Sequence, residues 1–143
     1  MGEAKTHVLR LRVYYEDTDA AGIVYYANYF KFAERGRTEM LRSAGLEQSL
    51  ILKKTGLRFL VRNCSMEYLS SARLDDVIEV HTKILGIRAA SMIVMQIIGR
   101  LGNTLASIKS RIACVDTHGS PKRLPPELET SLRPYLTYGQ GAR

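Results

Sequence analysis

Hydrophobic and polar residues alternate near the start of the chain. Leu9, Leu11, Val13 and Tyr15 fall on one side, with Arg10, Arg12 and Tyr14 on the other. A period of two across residues 8–15 predicts a half-buried strand. After Gly22 the period lengthens. Tyr29, Phe32, Ala33, Gly36, Met40 and Ala44 share one helical stripe, and Lys31, Glu34, Arg35, Thr38 and Arg42 lie largely away from it. Glu34–Arg37 and Glu39–Arg42 have the i,i+3 spacing of helical ion pairs. Gly45 is placed to cap the helix, and a second short helix is expected near residues 47–54, ended by Gly56. Gly36 costs the helix about 1 kcal/mol relative to Ala. Its place on the apolar stripe predicts a helix packed very close to something flat.

The remaining pattern reads as strands. Residues 58–70 carry Phe59, Leu60, Val61, Cys64, Met66 and Tyr68. Ile78, Val80, Thr82 and Ile84 then alternate with Glu79, His81 and Lys83, which puts His81 on the solvent side. Residues 91–98 are almost continuously apolar, as in a central strand buried on both faces. Gly102–Asn103 is turn-like, so 91–100 and 104–115 read as a hairpin. In its second strand Ala106, Ile108, Ser110, Ile112 and Cys114 face one way, Lys109 and Arg111 the other. Pro121, Pro125 and Pro126 break regular structure, and the tail from Tyr135 is expected to be loose. One long helix and an antiparallel sheet that wraps it make an α+β domain. The domain spans 1–143, with a core over about 8–116 and an extension over 117–143. Edge strands and a second sheet face call for a partner, so a homodimer or larger assembly is expected.

Composition narrows the classes. The chain has 143 residues and 45% hydrophobic content, enough for one globular core. No apolar run approaches the roughly 20 residues of a membrane span, and residues 1–8 lack a signal-peptide core, so a cytoplasmic location is expected. The net charge of +7 favours anionic partners such as phosphate-bearing molecules. Cys64 and Cys114 fall in strands among apolar neighbours and read as reduced core residues. His7, His81 and His118 have no metal-ligand spacing. Tyr14, Tyr15, Tyr25, Tyr26 and Tyr29 beside basic residues invite a base-stacking reading. No nucleic-acid motif accompanies them, and core or pocket lining explains most of them better.

The chemistry concentrates at the junction between the first strand and the long helix, in Glu16, Asp17, Thr18 and Asp19. Three readings are open there. Asp17 and Asp19 match the start of a calcium loop, but Ala21 and Asn28 break its ligand pattern. Carboxylates can also cap the N–H groups of the next helix. Or one carboxylate is a general base or nucleophile. The helix N-terminus supplies unpaired N–H donors and a positive dipole end, suited to a carbonyl oxygen that becomes negative.

The run from Val13 to Tyr26 resembles the signature of hotdog-fold acyl-CoA thioesterases of the 4-hydroxybenzoyl-CoA thioesterase type. Tyr29, Phe32, Glu34–Arg35 and Arg37–Thr38–Glu39 resemble the narrower YbgC branch, as do Met66–Glu67–Tyr68 and Ala72–Arg73–Leu74–Asp75–Asp76. Members of that branch accompany the bacterial Tol–Pal envelope system. The likeness covers about residues 8–116. It implies a hotdog fold and hydrolysis of an acyl-CoA to a free acid and coenzyme A, without a further cofactor or metal. It implies that Asp19 is the catalytic carboxylate and that the Tyr26 backbone N–H polarises the thioester carbonyl. Glu16 and Asp17 would hold the turn, and Gly22 would let the backbone approach the acyl group. Arg88 and Ser91 match a coenzyme-contacting region, with Lys109 and Arg111 as weaker candidates. Tyr25, Tyr29, Phe59 and their symmetry mates would set pocket depth at a dimer interface of a homodimer or homotetramer. Tyr26 stands where many of the branch carry histidine, and Gly36 where they often carry alanine. An acyl carrier protein is an alternative donor. A non-catalytic acyl-CoA or acyl-carrier-protein adaptor of the envelope is the rival function.

Overall fold

The computed structural model describes residues 4–137. The strands are β1 (His7–Arg12), β2 (Arg58–Tyr68), β3 (Val77–Arg88), β4 (Ser91–Arg100) and β5 (Asn103–Val115). The helices are α1 (Asn28–Ser43), α2 (Gln48–Thr55) and α3 (Pro126–Leu132). All strand pairs are antiparallel, in the order β1-β3-β4-β5-β2. α1 lies across β1, β3, β4 and β5. The architecture is the expected α+β sheet wrapped around one long helix.

The core has two parts. Val13, Tyr29, Phe32, Ile78, Val80, Ile98 and Ile108 pack near the start of α1. Met40, Leu41, Ile84, Met92, Ile112, Leu124, Leu132 and Tyr135 pack near its end. Between them α1 meets the sheet at Gly36. A Cβ there would stand 2.6 Å from Val80 Cγ1, 3.0 Å from Gln96 Nε2 and 3.1 Å from Thr82 Oγ1. The flat neighbour foreseen from the glycine is therefore the inner face of β3 and β4. Gln96 and Thr82 are fully buried polar residues, and such groups need partners. Gln96 Nε2 donates to the Ala33 carbonyl at 2.7 Å and to Thr82 Oγ1 at 3.0 Å. Its Oε1 accepts from Arg37 Nη1 at 3.2 Å.

Several expectations need correction. β1 ends at Arg12, and Tyr15, expected on the buried side, is 84% exposed in a short 3-10 turn (Tyr15–Asp17). The outer face of β4 (Ile93, Met95, Ile97) is half-buried, not buried, because no helix among the described residues packs on it. Cys64 is exposed while Cys114 is buried. Cys64 pairs with the inward-facing Ser110, but its strand β2 is the sheet edge beyond α1. His81 is half-buried, with Nε2 2.9 Å from Glu79 Oε1. Of the two helical ion pairs only Glu39–Arg42 forms, at 2.7 Å. Glu34 instead accepts from Thr38 Oγ1, and Arg37 turns inward to Gln96. Pro126 opens α3, where a missing N–H costs nothing. Tyr135 is not loose: it is 9% exposed and its hydroxyl lies 2.8 Å from Ser43 Oγ. The rest of the tail call, residues 138–143, lies outside the described residues.

Gly36→Ala gains about 1 kcal/mol of helix propensity, against an overpacking cost of about 1–3 kcal/mol. A net loss of about 1 kcal/mol is expected, read as a lower urea midpoint at unchanged slope. The cost is expected to shrink when Val80 is first replaced by alanine, since those two side chains share the space.

Candidate active site

The site grows from the exit of β1. Val13 continues the edge by bonding Asp76 and Asp75: its N–H reaches the Asp76 carbonyl at 2.8 Å, and its carbonyl accepts the Asp75 N–H at 3.0 Å. The chain then turns through Tyr15–Asp17. Asp17 is 5% exposed, and its carboxylate is fully engaged locally. Oδ2 accepts the Tyr14 N–H at 2.8 Å and Oδ1 accepts Asn28 Nδ2 at 3.1 Å. The Asp17 carbonyl takes the Tyr25 N–H at 3.0 Å. Asp17 thus ties the strand exit to the first residue of α1. Glu16, expected to share that work, is exposed and makes no hydrogen bond among the described residues.

Asp19 lies on a small hairpin closed by the Thr18–Val24 bridge. Its N–H donates to the Ile23 carbonyl at 2.9 Å, and its carbonyl accepts the Gly22 N–H at 3.0 Å. Oδ1 accepts the Ala21 N–H at 2.8 Å, which fixes the side chain in an Asx turn. Oδ2 has no partner among the described residues, and the residue is solvent-exposed. Gly22 adopts φ +79°, a conformation that favours glycine, and an added Cβ would meet only open space. The geometry therefore accounts for Gly22 through its backbone alone.

The start of α1 supplies donors. The N–H groups of Asn28, Tyr29 and Phe30 bond the carbonyls of Tyr25, Tyr26 and Ala27. Those of Tyr26 and Ala27 find no acceptor among the described residues, as expected of a helix N-terminus. The Tyr25 and Tyr26 rings lie 4.9 Å apart and about half exposed. Tyr29 is fully buried beside Tyr68, its hydroxyl accepting the Ala72 N–H at 2.9 Å. Burial pushes the Tyr29 phenol up to about 12.

Asp19, Gly22 and the Tyr26 N–H are thus assembled on one junction. Arg88 and Ser91 are not with them. They face each other across the β3–β4 turn, whereas the junction adjoins the other end of β3, where Arg12 pairs with Val77. The strand between spans roughly 35 Å at about 3.3 Å per residue. Ser91 Oγ lies 3.5 Å from Arg111 Nη1, and Lys109 and Arg111 are exposed. Of the expected pocket residues, only Phe59 lines the cavity of about 250 Å³ between α1, α2, β2 and the sheet. Its wall also includes Glu34, Arg37, Leu41, Val61, Met92 and Ile112. No three His, Cys, Asp or Glu side chains among the described residues are grouped to hold a metal ion. No helix of the described residues is long and apolar enough to cross a membrane.

The residues 72–76, noted in the sequence only for their resemblance, lie behind the hairpin. The Ala72 carbonyl accepts the Val24 N–H at 2.9 Å, and Ile23 bridges Arg73. Asp76 Oδ2 accepts the Arg73 N–H at 2.8 Å and Arg100 Nη1 at 2.6 Å. Burial pushes the Asp76 carboxyl up, but the Arg73 N–H and the Arg100 bond and charge outweigh it, holding the group below the usual carboxylate range. The Ala72–Asp76 motif was a signal for this segment. Its partner Arg100 lies too far along the chain for spacing to reveal.

An antiparallel sheet wrapped around one long helix is the hotdog architecture, and a carboxylate near free helix donors is a combination suited to a carbonyl substrate. The model of the Thioesterase-like superfamily matches residues 13–132. The acyl-CoA thioester hydrolase YbgC of Escherichia coli O6:H1 is 43% identical over 117 residues, 80% of this chain and 87% of that protein. The acyl-CoA thioesterase YbgC of Haemophilus influenzae is 40% identical over 106 residues, 74% of this chain and 78% of its own. A probable thioesterase from Bartonella henselae superposes with a TM-score of 0.81 at 34% identity, covering 85% of this chain and all (100%) of the other. The chain belongs to the Thioesterase-like superfamily and is of its YbgC type.

Linkage sets the sign of one pH effect. A carboxyl held below its unfolded value contributes stability that is complete above about pH 4 and is lost as pH falls through the folded value. Asp76→Asn is expected to lower the urea midpoint at neutral pH, and the gap from wild type is expected to narrow by about pH 3.

Proposed function

We propose that this chain hydrolyses acyl-CoA thioesters to a free carboxylic acid and coenzyme A. The observation that carries the reading is the junction: Asp19 presents a free Oδ2 beside a helix start whose Tyr26 N–H is unsatisfied. The thioester carbonyl oxygen accepts that N–H, and the helix dipole favours the charge it gains. In one route Asp19 Oδ2 attacks the carbonyl carbon, the C–S bond breaks, and the thiolate leaves to take a proton. Water then cleaves the mixed anhydride and restores the carboxylate. In the other route Asp19 takes a proton from water as that water attacks, and the proton passes to the departing sulfur. The names of the E. coli and H. influenzae relatives support coenzyme A as the carrier. The net charge of +7 suits its phosphates.

The edge strand β2 supports assembly in pairs. Leu60, Val61 and Tyr68 are 40–48% exposed along a strand with a free ladder edge, a template for a second copy. Antiparallel pairing of two β2 strands sets the start of one beside the end of the other. It brings the far end of one sheet, with Arg88 and Ser91, toward the partner's junction. In this homodimer those residues serve coenzyme A bound at the other subunit, and the cavity beside Phe59 offers apolar room for an acyl group. Such pairs could assemble further into tetramers, and an acyl carrier protein could present the same thioester.

Asp19→Asn keeps an Oδ1 acceptor for the Ala21 N–H. It is expected to unfold at the wild-type midpoint while kcat on an acyl-CoA falls at least about a hundredfold. An unchanged rate would sink the assignment, and a wild-type protein that binds acyl-CoAs without turning over any of a chain-length panel would establish the adaptor instead. Val61→Lys, introducing a charge on the apolar edge, is expected to shift the protein toward monomer in sedimentation and to lower activity with it.

A further inference from the structure

The carboxylate and the helix donors sit on separate pieces of backbone, and their relative placement has to be fixed by something. The hairpin Thr18–Val24 is held by the buried Val24 side chain, packed with Tyr29 and Phe32, and by its edges. Besides Asp17, its anchor on the sheet side is the segment 71–76, through the Val24 N–H to the Ala72 carbonyl and the Ile23–Arg73 bridge. The same Ala72 donates its N–H to the Tyr29 hydroxyl, in the first turn of α1. Ala72 is fully buried, so both bonds are shielded from water. One residue thus refers the Asp19 hairpin and the Tyr26 donor turn to a common point.

That point is itself a loop between β2 and β3 with no regular ladder of its own. Asp75 within it holds φ +72°, uncommon outside glycine, and is tied to the β1 exit: its N–H donates to the Val13 carbonyl at 3.0 Å and its carbonyl accepts Arg12 Nη1 at 2.8 Å. A second tie holds the residues around Ala72. Arg100, at the end of β4, donates Nη1 to the Ser71 carbonyl at 3.2 Å and to Asp76 Oδ2 at 2.6 Å. Asp76 Oδ2 also takes the Arg73 N–H at 2.8 Å. The pair therefore clasps the loop on both sides of Ala72. Its side chains are only 26–27% exposed, so solvent screens it less than a surface pair.

We infer that Asp76 and Arg100 are positioning residues for thioester hydrolysis: by clasping residues 71–76 they fix Ala72, which sets the Asp19 hairpin against the donor turn of α1. The inference rests on Asp19 and the Tyr26 N–H being the working groups. Neither Asp76 nor Arg100 touches substrate in it. A displacement of about 1 Å between reacting groups is enough to cost a hundredfold in rate, so a loosened clasp acts on kcat without removing any reacting group.

The test compares wild type, Asp76→Asn, Arg100→Met and Arg100→Lys as full-length protein. Steady-state kinetics on an acyl-CoA that wild type hydrolyses are read beside amide hydrogen exchange. Asp76→Asn and Arg100→Met are expected to lower kcat at least about tenfold with KM within about twofold. The Val24 and Ala72 amides are expected to exchange faster, while amides of Ile84 and Val94 keep wild-type protection. Arg100→Lys, which can still reach Asp76, is expected to recover most of kcat. Unchanged kcat in folded Asp76→Asn overturns the inference, as does a loss confined to KM. It is equally overturned if exchange rises uniformly through the sheet, which marks a stability effect, or if Arg100→Lys, where the others do not fold, exchanges at Val24 and Ala72 like wild type yet loses kcat. The exchange measurement separates this from the activity assignment. Should Asp19→Asn keep full activity, that assignment fails while local loosening at Val24 and Ala72 still reports the clasp.

Discussion

The close seat of α1 on the sheet at Gly36 is the contact on which the rest depends. With no Cβ, the helix approaches Val80, Thr82 and Gln96 nearer than any other residue type permits. That approach lets Gln96 reach the Ala33 carbonyl in mid-helix and also bond Thr82 and Arg37. A buried amide with all these partners is sensitive to position in a way apolar packing is not, because a slip leaves polar groups unpaired at roughly 1–3 kcal/mol each. The helix is therefore fixed both in depth and along its axis. Its first turn, with the free N–H groups, inherits that placement.

Two aspartates two residues apart take opposite roles because their surroundings differ. Asp17 spends both oxygens on Tyr14 and Asn28 and is buried. Asp19 spends one oxygen on its own turn and leaves the other in solvent. Only Thr18 separates them, so the buried carboxylate and the exposed one are mechanically linked. The engaged residue holds the turn and the free one presents an unpaired oxygen, an arrangement suited to a rigid scaffold that presents a loop.

Much of this was legible in the chain. Period two and period 3.6 located β1, α1 and the β4–β5 hairpin, and the helical glycine announced a close contact before any coordinates. Misreadings have a common cause: what covers a residue is decided by elements distant in sequence. Cys64 alternates as an inward residue of β2, yet α1 does not extend over that edge. Tyr135 follows a proline-rich stretch, yet Ser43 and the α1 end receive it. The Asp19 junction is local and could be read from a dozen residues. The clasp behind it joins Asp76 to Arg100 across two strands, and no periodicity records such a pair.

The division of the core has a mechanical consequence. Leu124, Leu128, Leu132 and Tyr135 all belong to the cluster at the end of α1, away from the Asp19 junction. The polar belt of Thr82, Gln96 and Arg37 stands between that cluster and the one around Tyr29. A disturbance of residues 124–135 is thus felt first in one module. The other module, around Tyr29 where the hairpin and the helix start meet, counts none of those side chains among its members.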